Sequence, residues 1–273
     1  MTAAAISLRG LVLALQYFTR IPMPAALARW AAFDGTAQRA SLAHFPGAGW
    51  LVAGAAMAAY WGIQQFLPRS GLSFWLAAVL STAVTVLLTG ALHEDGLADT
   101  ADGLGGSRDR DRALDIMKDP RLGSFGTLAL VMALLAKTGL LGLIGDTAGW
   151  ERAAAALLAA HVLSRGLTLV IVATLPNLGR AGQSKTLGVA PGIGWQGLAV
   201  AGAWCGLALA VAVQWASPAF CVAGGLVAVA ALLWMRRLLS MRLQGFTGDG
   251  LGATQQLCEI GFYLGAALAL GAG

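Results

Sequence analysis

The stretch LHEDGLADTADGLGGSRDRDRALDIMKDPRLGSFG, Leu92 to Gly126, holds eight of the thirteen acidic residues of a 273-residue chain. Long apolar segments flank it on both sides. The chain as a whole is 58% hydrophobic and 11% charged, with mean hydropathy +0.71. That composition describes a polytopic membrane protein rather than a soluble domain. Apolar runs long enough to cross about 30 Å of hydrocarbon, roughly 20 residues each, fall near 46–67, 72–92, 122–144, 152–175, 195–216, 218–239 and 255–272. Each span must satisfy its own backbone hydrogen bonds, so the expected fold is an all-α membrane bundle of about seven transmembrane helices. Abundant Ala and Gly in the spans allow close helix contacts.

Residues 1–19 read as a moderately apolar helix, interrupted by Arg9 and Gln16 and stopped by Pro22 and Pro24. An interfacial or re-entrant helix is expected there. No small-residue cleavage site precedes TRIPMP (Thr19 to Pro24), so no cleavable signal peptide is expected. With no internal repeat and no separate soluble unit, residues 1–273 are expected to form a single integral membrane domain, with the Asp-rich loop at 93–121 as its active-site loop. Cys205, Cys221 and Cys258 lie in apolar segments without metal-ligand spacing, which points to buried thiols rather than zinc or disulfides.

The charges orient this bundle. Arg9, Arg20, Arg29, Arg39, the five cations of the Asp-rich loop, Arg180, Lys185, Arg236, Arg237 and Arg242 share one side of the expected topology. Only Arg69 and Arg152 lie on the other, while Lys137 and Arg165 fall within spans. By the positive-inside rule the Asp-rich loop is cytoplasmic.

Asp95, Asp99 and Asp102 are spaced i, i+4, i+7, which at about 100° per residue puts them on one helix face. Three adjacent carboxylates repel one another unless a cation sits among them. Hard oxygen ligands suit Mg²⁺ or Mn²⁺, and Mg²⁺ commonly bridges to substrate phosphates. Arg108, Arg110, Arg112, Lys118 and Arg121 follow, and arginine forks match phosphate oxygens. The combination reads as a metal–diphosphate site at a membrane surface, against the plainer reading of a solvated, positively biased connector. Arg180 and Lys185 stand in a Gly-rich connection at 176–194, which suits either phosphate binding or simple flexibility. Asp249, between two glycines before the last span, is either a further carboxylate of the site or a helix N-cap. Lys137, Arg165 and Glu259 lie inside spans, where charges face a bundle interior or a wet cavity; the cations could pair with Glu259 or with substrate phosphates. His93 abuts the acids and is a candidate proton acceptor, as is His44 before the first full span.

With these pieces assembled, the chain resembles the cobalamin synthase family, the adenosylcobinamide-GDP ribazoletransferases. The matching segments are FTRIPMP (Phe18 to Pro24), HFPGAGWLVAG (His44 to Gly54), TGALHEDGLADTADGLGG (Thr89 to Gly106) and RDRALDIMKDPRLGSFG (Arg110 to Gly126). LAK (Leu135 to Lys137), LSRG (Leu163 to Gly166) and GFTGDGLGA (Gly245 to Ala253) follow in order, so the likeness covers nearly the whole chain. It implies a Mg²⁺-dependent bacterial inner-membrane enzyme joining adenosylcobinamide-GDP to α-ribazole or its 5′-phosphate, with release of GMP, late in vitamin B12 synthesis. By position, Asp95, Asp99 and Asp102 would bind the metal; Asp119, Arg121, Asp249 and His93 would be catalytic; Arg110, Lys185, Lys137 and Arg165 would bind the phosphates. The expected partners are the two substrates and membrane lipid, with no nucleic acid; self-association and association with other corrinoid-pathway enzymes stay open. Gln255 and Gln256 stand where the family often has glutamate, which leaves Glu259 as the acid of the last helix.

The rival readings are a different membrane diphosphate transferase or a corrinoid or cation transporter. The DG-x-x-AR step of CDP-alcohol phosphatidyltransferases is missing after Gly103. A transporter usually spreads polar residues through several spans at the midplane, whereas here the acids gather at one end.

Overall fold

The computed structural model describes residues 3–31, 40–68, 70–179 and 192–271. It is all-helical: α1 Ala3–Phe18, α2 Ala25–Trp30, α3 Phe45–Gln64, α4 Gly71–Thr89, α5 Leu92–Gly106, α6 Arg110–Ile116, α7 Ser124–Thr174, α8 Trp195–Trp215, α9 Pro218–Arg242 and α10 Gly248–Gly271. Among the described residues the only strand-like pairing is an isolated parallel bridge between Asn177 and Phe246.

Local sequence explains where the helices begin. Ser70 and Ser73 form a reciprocal capping box at the start of α4. Ser217 caps α9 ahead of Pro218, a residue pre-set for the first helical turn. Asp109 caps α6 by accepting from the Arg112 amide. Helix α4 ends at Gly90 (φ 67°), and Ala91 follows in the same left-handed region (φ 58°), so the chain turns sharply into α5.

Four helices, α4, α7, α8 and α9, are long and apolar enough to cross a membrane. The two spans expected at 122–144 and 152–175 form one helical run, α7, broken at Gly149 (φ 83°, ψ −179°), a backbone state that only glycine adopts without strain. The broken helix supplies two arms that return to the same end of the bundle. The region expected as an Asp-rich loop at 93–121 is mostly ordered helix, α5 and α6.

The helix ends sort into two groups. At one end, the Gln64 side chain of α3 donates to Ser73 O of α4 at 2.9 Å, and the Tyr60 and Trp150 rings lie 6.0 Å apart beside the Gly149 break. At the other end meet Thr19 and Arg20 after α1, the α4–α5 turn, α5 and α6, Pro176 to Leu178, and the α9–α10 junction. There Arg20 N donates to Leu88 O at 2.6 Å, and Phe246 N donates to Pro176 O at 2.9 Å. The chemistry-bearing residues sit at this second end. Helix α10 lies at the centre, with α5, α7 and α9 packed around it.

Candidate active site

Helix α5 lies almost without side-chain separation against the start of α10. A Cβ on Gly96 would come within 2.8 Å of Asp249 O, and one on Gly252 within 3.2 Å of His93 O. These two glycines let the backbones touch and bring Asp249 to the acids of α5. The electrostatics register that approach. Burial first, then Asp249, Asp95 and Asp102, raise the Asp99 carboxyl to about 7; burial, then Asp95, raises Asp249 to about 6. Burial and neighbouring negative charge both disfavour the ionised carboxylate.

Asp102 lies on the same helical stripe but has a different occupation. Its Oδ2 accepts from Gly123 N at 2.7 Å and its Oδ1 from Gly126 N at 2.8 Å, while the residue is buried. The carboxylate therefore caps α7 from outside, meeting the free amides and positive end of that helix. Gly123 and Gly126 are needed because a Cβ on either would collide with this carboxylate. Among the described residues no three His, Cys, Asp or Glu side chains form a ready metal cage. The structure groups Asp95 and Asp99 with Asp249 and directs Asp102 into the helix cap.

The basic candidates are dispersed. Arg121 grips Asp119 with Nε to Oδ1 at 2.9 Å and Nη2 to Oδ2 at 2.6 Å, and its own amide also donates to Oδ1. Those side-chain and backbone hydrogen bonds lower Asp119 to about 2, so this carboxylate is a weak proton acceptor. Arg121 itself is 86% exposed. Arg110 Nε donates to Leu243 O at 2.7 Å, and Arg242 Nη2 reaches Leu104 O and Ser107 O. These two arginines tie α5 and α6 to the end of α9. Lys185 lies outside the described residues, as does Arg180.

Lys137 and Arg165 belong to a buried polar network rather than to an open phosphate site. Lys137 Nζ lies 2.9 Å from Glu259 Oε1, 3.1 Å from Gln256 Oε1 and 3.9 Å from Glu94 Oε1. Gln256 Nε2 donates to Glu94 Oε1 at 3.0 Å, and Gln255 Nε2 donates to Glu259 Oε2 at 2.8 Å and to Ser164 Oγ at 3.0 Å. His161 Nδ1 stands 3.4 Å from Glu259 Oε2, Tyr263 donates to Glu259 Oε1, and Arg165 Nη1 donates to His161 O at 2.7 Å. Two cations thus face two carboxylates with no exposed member. Sequence reasoning weighed a Lys137–Glu259 pair but missed the glutamines as its bridge. The available signal was a run of polar side chains, Thr254 to Gln256, one turn before Glu259.

Beside Asp95 and Asp249 lies a cavity of ≈ 180 Å³. Asp95, Asp249 and His93 line it together with Phe18, Leu42, Phe45, Leu169 and Val172. The His93 ring stacks on Phe45 with centroids 5.8 Å apart, and its Nε2 is buried without a hydrogen-bond partner among the described residues. Burial, reinforced by Arg165, holds His93 well below its usual pKa, so the ring is neutral. Asp119, Arg121, Lys137 and Arg165 are not among the residues lining the cavity.

Fold and site define a class: an all-helical integral membrane protein with a carboxylate-rimmed cleft at one end of its bundle. Within that class the chain belongs to the cobalamin-5-phosphate synthase family, whose model matches residues 10–267. Two relatives named adenosylcobinamide-GDP ribazoletransferase come from Polaromonas. The one from Polaromonas sp. strain JS666 is 49% identical, with 96% of this chain and 97% of the relative covered. The one from Polaromonas naphthalenivorans is 47% identical, with 96% and 99% covered. A relative of the same name from Albidiferax ferrireducens is 47% identical with the same coverage. No solved structure matches the chain.

Proposed function

We propose that this chain is a Mg²⁺-dependent transferase of the bacterial inner membrane, with the α5–α10 end of the bundle facing the cytoplasm. It joins adenosylcobinamide-GDP to α-ribazole or its 5′-phosphate and releases GMP. A ribose hydroxyl oxygen bonds to the phosphorus carried by the corrinoid, and the phosphoanhydride bond to GMP breaks. The orientation rests on the basic residues that gather at this end. The observation that carries the reading is the convergence of Asp95, Asp99 and Asp249 from two helices, where burial and then neighbouring carboxylates (Asp249 and Asp95 for Asp99, Asp95 for Asp249) raise the Asp99 and Asp249 carboxyls.

That donor set suits a hard divalent cation in its chemistry, being all oxygen, mutually repulsive and partly open to solvent, and the side chains would have to close further to form a cage around it. Asp95, Asp99 and Asp249 would hold Mg²⁺, and Asp102 would keep the start of α7 beside them. A bound cation supplies charge neutralisation for the diphosphate and its leaving oxygen. Arg121, exposed and among the described residues paired with Asp119, can exchange that carboxylate for a phosphate. With Asp249 given to the cation, His93, which lines the cavity with Nε2 unpartnered among the described residues, is left to take the hydroxyl proton. The buried Glu259–Lys137–Gln256–Glu94 chain positions this surface, because Glu94 precedes Asp95 directly.

The test is product formation from labelled adenosylcobinamide-GDP and α-ribazole in detergent. Asp99→Asn is expected to lower the Mg²⁺-dependent rate at least about a hundredfold, since even outer-shell partners of a metal contribute about 10–100-fold. A variant that keeps its rate removes Asp99 from the metal site.

A further inference from the structure

The cavity beside Asp95 and Asp249 combines two chemistries. Its mouth carries exposed Asp95 and half-buried Asp249, while buried Phe18, Phe45, Leu42 and Leu169 make up its wall. The proposed reaction has three bulky groups to place: the corrinoid, the guanine and the base of the acceptor nucleoside. A corrinoid macrocycle is far larger than ≈ 180 Å³ of space.

Guanine carries O6 and N7 acceptors and an N2 donor along its edges. Each such group left unpaired in an apolar site costs about 1–3 kcal/mol. Beyond the mouth, where Asp95 and Asp249 are given to the cation, the polar side chains of the lining are Tyr17, His93 and Thr168, and the Thr168 hydroxyl already donates to Ser164 O at 2.9 Å. The other lining side chains are aromatic or aliphatic, which leaves too few polar groups for every edge of guanine. The benzimidazole of α-ribazole makes a different demand. It is a flat, apolar bicycle with one unsubstituted ring nitrogen, and flat apolar rings pack well on aromatic side chains.

We infer that this cavity is the acceptor subsite, seating the apolar bicyclic base of the nucleoside among Phe18, Phe45 and Leu169, with its ribose at the acidic mouth. The inference rests on the transferase reading above. It explains why aromatic side chains and carboxylates share one small space. A base seated in the wall leaves its ribose hydroxyl beside Asp95 and Asp249, where the diphosphate would be held.

Val172 on α7 lines the same cavity and is buried, so its size controls the room available. Val172→Phe is expected to raise KM for α-ribazole about tenfold or more, and to leave KM for adenosylcobinamide-GDP within about twofold; a single methylene in an apolar pocket already shifts selectivity about 10–200-fold, and this substitution adds a larger group. Val172→Ala is expected to shift preference toward nucleosides with a bulkier apolar base, and it decides the matter alone if the Phe variant does not fold. A Val172→Phe effect confined to adenosylcobinamide-GDP, or to inhibition by GMP, would assign the cavity to guanine and overturn the subsite. Unchanged selectivity in both variants would also overturn it. If the wild-type protein forms no product with any acceptor, the transferase reading fails first, and that result is distinct from either variant outcome.

Discussion

Asp102→Asn separates two roles that one helical stripe would otherwise merge. The carboxylate of Asp102 accepts the Gly123 and Gly126 amides at 2.7 and 2.8 Å, one on each oxygen. An asparagine keeps one acceptor oxygen and turns an NH₂ donor toward the other amide. One charge-assisted bond is lost, about 1.5–3 kcal/mol, and the helix start loses its counter-charge, about 0.3–1 kcal/mol. The sum, about 2–4 kcal/mol, corresponds to a melting-temperature drop of roughly 5–15 °C for a chain of this size. Thermal unfolding in detergent, followed through the fluorescence of the nine tryptophans, reads it directly. Asp99→Asn, one turn away, has the opposite signature. Folding raises the Asp99 carboxyl from 3.8 to about 7, so its contribution to stability is present at acid pH and lost as pH rises through about 7. Without divalent cation, the Asp99→Asn protein should therefore melt at or above the wild-type temperature at pH 8, with the difference shrinking progressively toward pH 4. Mg²⁺ should raise the melting temperature of the wild type at pH 8 but not that of Asp99→Asn. If Asp102→Asn melts normally yet loses the Mg²⁺ response, Asp102 is a ligand and not a cap, and the reasoning is refuted.

Two further outcomes follow from the packing. Lys137→Met leaves Glu259 buried without its cation, and Glu259→Gln leaves Lys137 without its nearest anion; each should cost about 3–5 kcal/mol, while the double variant recovers most of the loss. Melting curves of the three proteins check this, and a double variant no better than its parents would count against the pair. Gly96→Ala would place a methyl against the Asp249 backbone, so helix separation should cost about 1–3 kcal/mol. The Mg²⁺ concentration for half-maximal rate should rise with it, whereas an unchanged Mg²⁺ requirement would show that the α5–α10 contact does not set the site.

Much of the architecture was legible in the chain because membrane spans announce themselves by length and apolarity. The helices lie where the apolar runs fall, and the alternation of helix ends places the Asp-rich segment, Arg110, Arg242 and Asp249 together. The break at Gly149 falls in the gap between the spans expected at 122–144 and 152–175, where Asp146, Glu151 and Arg152 interrupt the apolar runs; less legible was that the chain stays helical up to the glycine on both sides. The Asp spacing marks a helical face within the segment at 93–121, while its density of charge and glycine suggests a loop; Asp109 capping and the Gly90–Ala91 turn make it two helices. Periodicity identified the Asp95, Asp99 and Asp102 stripe but could not tell which neighbour each carboxylate meets.

Composition and order alone determined that the chain is a helical membrane protein, which residues carry charge into its spans, and which end gathers the acids. These follow from hydrocarbon's intolerance of unpaired backbone groups and isolated charges, a constraint that acts on each segment separately. Tertiary structure decided the rest: Asp102 turned to the amides of α7, Asp249 drawn to Asp99 through the Gly96 contact, and Gln255 and Gln256 linking Glu94 to Glu259. Those assignments depend on distances between side chains on different helices, and helix-to-helix distance is set by small residues whose effect appears only when the helices meet.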